Sequence, residues 1–131
     1  MPITAIYAGL LAALLLILSF RVIAQRREAQ VELGHGESHQ LLRRIRVHGN
    51  FVEYVPFALI LIGLSESLKA PLGLIHVLGL TLLAARLIHA YGLSQTPHNL
   101  KLRVLGMMLT LSVIGIAALT CFVLGLFQSL I

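Results

Sequence analysis

Arg46-Val47-His48-Gly49-Asn50-Phe51-Val52-Glu53-Tyr54-Val55-Pro56 decides how this chain is read. The stretch leads into the apolar run 51–68. A guanidinium, an amide, a carboxylate and a phenol are thereby carried towards the lipid-covered part of a helix. Each ionised group at mid-membrane costs on the order of 3 kcal/mol. A segment that only had to cross a bilayer would gain nothing from Glu53, so something polar is expected to meet these groups.

The rest of the chain explains why a bilayer is the relevant solvent. Of 131 residues, 58% are hydrophobic and 11% are charged, whereas a soluble domain carries about a quarter charged residues. Four runs hold the excess. Residues 2–20 carry no charge, 51–68 only Glu53 and Glu66, 71–93 only Arg86, and 104–131 none. Crossing the hydrocarbon core takes about 20 residues, and each run with its flanks is long enough. The runs are solidly apolar rather than alternating, which argues against transmembrane strands. The expected fold class is an all-α integral membrane protein, a four-transmembrane-helix bundle. It forms one domain over residues 1–131, with helices at about 3–28, 39–68, 72–93 and 100–127.

Charge placement orients these spans. Basic residues follow the first run instead of preceding it, which suits a retained span rather than a cleaved leader. Arg21, Arg26, Arg27, Arg43, Arg44 and Arg46 flank loop one, Lys101 and Arg103 lie near loop three, and only Lys69 marks loop two. The positive-inside rule then puts loops one and three in the cytoplasm and both termini outside. The net charge of +5 reads as this orientation signal. No exposed basic face or soluble module carries it, so nucleic acid is not an expected partner.

Local signals refine the picture. Ser38 is placed to cap the second helix. Pro56 is expected to bend that helix near Val52 and Glu53, because proline removes a backbone donor and crowds the preceding turn. Two small-residue stripes, Ala5/Gly9/Ala13 and Ala117/Cys121/Gly125, offer close helix approach in lipid. Cys121 is the single cysteine, excludes an intramolecular disulfide, and reads as a packing residue.

At 100° per residue, Arg43, Arg46, Asn50 and Glu53 share a sector of about 80°, with Tyr54 at its border and His48 facing roughly the opposite way. Such a stripe suits a ligand carrying both a carboxylate and an ammonium group. Arg46 grips a carboxylate through paired donors, Glu53 accepts from an ammonium or amide, and Asn50 does both. Mutual pairing of Arg46, Asn50 and Glu53 without any ligand is the competing reading. Arg86 and His89 share a face of the third helix, and Arg86 is expected to pair with Glu53 or a backbone carbonyl. Lys101 and Arg103 are either snorkelling anchors or a positive group favouring a bound thiolate. His76 and His89 are spaced to reach opposite leaflets, but no matching pair stands on another helix. No Cys/His spacing resembles a zinc site. Neither haem nor metal is expected.

The pattern Arg-x-x-x-Asn-x-x-Glu-Tyr-x-Pro, here Arg46, Asn50, Glu53, Tyr54 and Pro56, resembles the second-helix signature of the membrane-associated proteins in eicosanoid and glutathione metabolism (MAPEG). Arg26-Arg27, Ala85-Arg86-Leu87 and Leu102-Arg103 also fall where that family has similar residues. The chain is most similar to its small bacterial branch. The resemblance implies a homotrimer in an inner membrane, binding glutathione as co-substrate between subunits towards the cytoplasm. By that likeness, Arg46, Asn50, Glu53 and Tyr54 would hold the tripeptide. Arg26 or Arg27 of a neighbouring subunit would add a carboxylate contact, and Arg103 would be the catalytic residue stabilising the thiolate. A lipophilic electrophile would enter from the bilayer for thiolate addition or displacement. The departures are His89 and Leu93, where leukotriene-type transferases carry tyrosines, and His48, where they carry glutamine. Two other functions stay open: a non-catalytic lipid- or partner-binding scaffold of the same fold, and a small proton-coupled exporter using Glu53.

Overall fold

A computed structural model describes residues 1–130. Four helices follow one another: α1 (Pro2–Ala29), α2 (His39–Ser67), α3 (Leu72–Ser94) and α4 (Leu100–Ser129). Each is long and apolar enough to span a membrane, and no strand occurs among the described residues. The fold is the all-helical membrane bundle expected from the apolar runs.

Side chains mark the helix ends. Ser38 Oγ accepts the Leu41 N–H at 3.2 Å, and Asn99 Oδ1 accepts the Leu102 N–H at 3.2 Å. Each satisfies a donor that the first helical turn leaves without a partner. The start of α1 lacks such a cap and takes one from another helix. Glu66 Oε1 accepts from the Ile3 N–H at 3.0 Å, while Oε2 accepts from the Thr4 N–H at 2.8 Å and the Thr4 hydroxyl at 2.6 Å. A carboxylate at a helix N-terminus also meets the positive end of the dipole. One of the two acidic residues of the second run is thereby accounted for, and Glu53 is left.

The bends of the chain are just as local. Loop one turns through Gly34 and Gly36 at φ 67° and 55°, a left-handed conformation that suits residues without a Cβ. Helix α2 passes through Pro56 without interruption. The Val52 carbonyl loses its usual donor, but any bend there stops short of a break.

The core follows helical periodicity. Val47, Phe51, Val55, Ala58 and Ile62 form one face of α2, packed with Ile75, Leu78 and Leu82 of α3, Val113 and Ala117 of α4, and Leu11, Leu14 and Leu18 of α1. The closest approach of glycine to neighbouring backbone joins α3 to α4. A Cβ on Gly106 would stand 2.7 Å from the Ala85 carbonyl and 2.8 Å from the His89 nitrogen; one on Gly92 would stand 2.9 Å from the Arg103 nitrogen. Both contacts are with backbone, which cannot rotate away, so glycine is required at each. The small residues expected to provide close packing behave differently. Ala5, Gly9 and Ala13 face outward, and Gly9 has no neighbour within 4 Å. Of the second stripe, Ala117 is buried, and Cys121 Sγ lies 3.2 Å from Ser65 Oγ and 3.1 Å from the Leu61 carbonyl. Gly125 touches nothing.

Candidate functional site

The polar stripe of α2 divides into two environments. Arg46 and Glu53 are exposed on the protomer, while Asn50 and Tyr54 are half-buried. Among the described residues no hydrogen bond engages the side chain of Arg46, Glu53 or Tyr54. The expected pairing of Arg86 with Glu53 is not formed, nor is the mutual pairing of Arg46, Asn50 and Glu53. Glu53 points away from the bundle, because the face of α2 that meets α3 is set by Val47, Phe51 and Val55.

Arg86 instead turns inward. It is 1% exposed, and its Nη2 donates to Asn50 Oδ1 at 2.6 Å. Nη1 donates to Thr110 Oγ1 at 3.4 Å and approaches Met107 Sδ at 3.9 Å. The guanidinium carbon lies 5.9 Å from the centre of the Phe51 ring, within cation–π range. Its Nε is buried without a partner. A cation held only by neutral groups in a membrane-spanning bundle depends heavily on its shortest bond, the one to Asn50.

That bond also fixes the chemistry Asn50 can offer. Arginine only donates, so the Asn50 oxygen faces Arg86 and the amide nitrogen is left for anything outside. Asn50 is therefore a donor towards a ligand, where the sequence allowed both roles. Thr110 in turn donates to the Gly106 carbonyl at 2.8 Å, so α2, α3 and α4 meet at one polar centre. No sequence signal singled out Thr110. A hydroxyl on the buried face of α4, one turn beyond a required glycine, is what marks it.

The histidines that depart from the family pattern are both committed internally. His89 is 1% exposed, with Nδ1 3.4 Å from Arg86 Nη2. It faces the polar centre rather than the outer stripe and does not take the place of an outward phenol. Leu93 is buried as well. His48 Nε2 lies 3.1 Å from Ser19 Oγ, joining α2 to α1 on the side opposite the stripe. Ser19 Oγ already donates to the Leu15 carbonyl at 2.8 Å, so His48 supplies the proton of this pair.

The remaining candidates lie at the basic end of the bundle. Arg26 is half-buried, and its Nη1 donates to the carbonyls of Val31, Glu32 and Gly34 at 3.5, 3.3 and 2.8 Å, clamping loop one. Arg27 is exposed. Arg43 is tied to Thr96 of loop three. Arg103 is exposed in the first turn of α4, held at its height by the Gly92 contact. Concavities between α1 and α2 are apolar: one of about 340 Å³ is lined by Met1, Thr4, Leu59 and Gly63 among others, and one of about 170 Å³ by Leu11, Leu15, Phe51 and Val55 among others. Neither includes Arg46, Asn50 or Glu53. Among the described residues no cluster of His, Cys, Asp or Glu has the arrangement of a metal site.

Comparison with known proteins agrees with the four spans. The family model described as "MAPEG family" matches residues 4–123. The chain is 42% identical over 90 residues to a protein named "Inner membrane protein YecN" in Escherichia coli K12, the match covering 69% of each chain. The protein of the same name in an O6:H1 strain of that species matches equally. The match over nearly the whole chain, the four spans and the Arg46–Pro56 signature make this chain an integral membrane protein of the MAPEG family.

Proposed function

We propose that the protein joins the thiolate of glutathione to lipophilic electrophiles, in a transferase or peroxidase-type reaction, with glutathione held between the protomers of a homotrimer. The observation that carries this reading is the exposure of Arg46 and Glu53 on α2, with no side-chain partner among the described residues. Two opposite charges left unpaired at the edge of an apolar span call for a ligand or subunit bearing the complementary groups. Glutathione has two carboxylates, one ammonium and two peptide groups, which suit Arg46, Glu53 and the amide donors of Asn50. Tyr54 stands beside them. A carboxylate contact from a neighbouring protomer is better assigned to Arg27 than to Arg26, because carbonyls of loop one already occupy Arg26 Nη1. Loops one and three would then face the cytoplasm, where glutathione is supplied.

In such a site Arg103 would stabilise the thiolate. The sulfur attacks an electrophilic carbon arriving from the bilayer, and a carbon–sulfur bond forms. The displaced group leaves with its electron pair or, in an addition, the substrate carries the pair and takes a proton from water. The second reading is a scaffold that binds lipid or a partner without catalysis. It is favoured by the burial of His89 and Leu93, which leaves the outer wall without the phenols of the leukotriene-type enzymes. The exporter reading, motivated by four helices and a membrane-embedded Glu53, ranks below both.

Ultraviolet absorbance of the thiolate separates the first two readings. Glutathione added to the purified protein should produce the thiolate band, and Arg103→Ala should abolish the band while glutathione still binds. Binding without a thiolate band in the wild type would establish the scaffold instead.

A further inference from the structure

At the basic end of the bundle two arginines are brought together between α1 and α2, the Arg44 guanidinium lying against the backbone of Arg21. Arg44 Nη1 donates to the Arg21 carbonyl at 3.0 Å, so the Arg44 side chain lies along α1 at the root of Arg21. Arg21 Nη1 reaches Ser94 Oγ at 3.3 Å at the end of α3. Both arginines are half-buried, and none of the hydrogen bonds they make among the described residues goes to a carboxylate. Like charges are gathered there by three helices, and most of their donors remain free. The outer stripe of Arg46, Asn50 and Glu53 does not include them.

Their depth names the ligand. Thr4 and Glu66 mark the opposite end of the bundle, where they are bonded to each other. At 1.5 Å per residue, the rise from Thr4 to Arg21 is about 26 Å and from Glu66 to Arg44 about 33 Å. The hydrocarbon core is about 30 Å thick, with headgroups beyond it. Arg21 and Arg44 thus stand at the edge of the hydrocarbon core, where long guanidinium side chains reach the phosphates of one leaflet. Deeper in the membrane, beyond the His48–Ser19 contact, α1 and α2 flank an open apolar concavity lined by Ala8, Ala12, Leu15 and Pro56 among others, which suits an acyl chain running down from a headgroup.

We infer that the Arg21–Arg44 pair is a binding site for the phosphodiester of an anionic phospholipid in the leaflet beside loops one and three. Guanidinium groups bind phosphate through paired charge-assisted hydrogen bonds, and the lipid neutralises a repulsion that the protomer leaves uncompensated. This site is independent of the proposed glutathione reading.

The test is native mass spectrometry of the full chain in neutral detergent, titrated with dioctanoyl phosphatidylglycerol, dioctanoyl phosphatidylcholine or inorganic phosphate. Phosphatidylglycerol should bind about tenfold tighter than phosphatidylcholine, and Arg44→Gln should lose about tenfold, as for one charged hydrogen-bonding group. Arg44→Lys, which keeps the charge but not the fork, should fall between. Lys101→Gln removes the same charge at the same end and should change binding less than about twofold. Thermal melting of each variant reports whether it is folded. Equal losses in Arg44→Gln and Lys101→Gln, or no preference for phosphatidylglycerol, would overturn the site. Displacement of the lipid by an equal concentration of inorganic phosphate would overturn its assignment to lipid.

Discussion

Arg86 and Arg46 are both arginines of the Asn50 neighbourhood, and they live in opposite conditions. Arg86 is buried and its hydrogen bonds end on Asn50 and Thr110; Arg46 is exposed and hydrogen-bonded to nothing among the described residues. A group whose partners lie within its own protomer explains its presence by folding. A charge retained at the edge of a membrane span without partners has no such explanation. Asn50 sits on the boundary, its oxygen facing the buried arginine and its amide facing out. The comparison therefore separates a polar centre held by the fold from an outer stripe proposed for binding, with Asn50 belonging to both.

Substitutions on either side of that boundary should separate stability from binding. Asn50→Ala should have the largest effect. It strips the Arg86 cation of its shortest hydrogen bond, a loss of about 1.5–3 kcal/mol for a bond to a charged group, and it removes the outward donors too. Thermal unfolding in detergent should show a strongly lowered midpoint, and glutathione binding should be lost. Arg46→Ala should weaken glutathione about 100-fold, the equivalent of about 3 kcal/mol for a charged, bidentate contact. Its unfolding midpoint should stay near wild type, since exposed side chains away from special features change stability by about 0.5 kcal/mol or less.

Asn50→Asp sharpens the division further. A carboxylate still accepts from Arg86 and adds an ion pair, so the midpoint should hold or rise. The outward N–H donors vanish, so glutathione should bind about tenfold more weakly by calorimetry, as for one lost charged hydrogen bond. Wild-type affinity in the Asn50→Asp variant would show that the amide donors are not used. The smallest effect is expected from His48→Ala, which removes the Ser19 contact between α1 and α2. It should lower stability by about 1 kcal/mol and leave glutathione binding unchanged, because that ring lies on the far side of α2.

Much of the fold was legible because the bilayer simplifies it. Four uninterrupted apolar runs leave few alternatives to four helices, and the Ser38 cap follows from its residue type and place. The shared face of Arg46, Asn50 and Glu53 followed from helical spacing alone. What spacing does not carry is which neighbour each face meets. Glu66 was given no role from the sequence, yet it caps α1 from across the bundle. Arg86 was expected to pair with Glu53 or a backbone carbonyl and found the side chain of Asn50 instead, because rotation of α2 about its axis is set by Val47, Phe51 and Val55. The small-residue rule pointed to Ala5, Gly9 and Ala13, whereas the glycines pressed against backbone are Gly92 and Gly106. A four-residue rhythm reveals a face fit for close approach but not whether that approach occurs within the protomer.

The most direct test is glutathione calorimetry on purified wild type and Arg46→Ala, with thermal melting of both in the same detergent. Binding in the wild type that disappears in Arg46→Ala, at an unchanged melting midpoint, is the expected result. Equal binding in the two proteins, or a midpoint that collapses in Arg46→Ala, would contradict the division between a structural Arg86 and a functional Arg46.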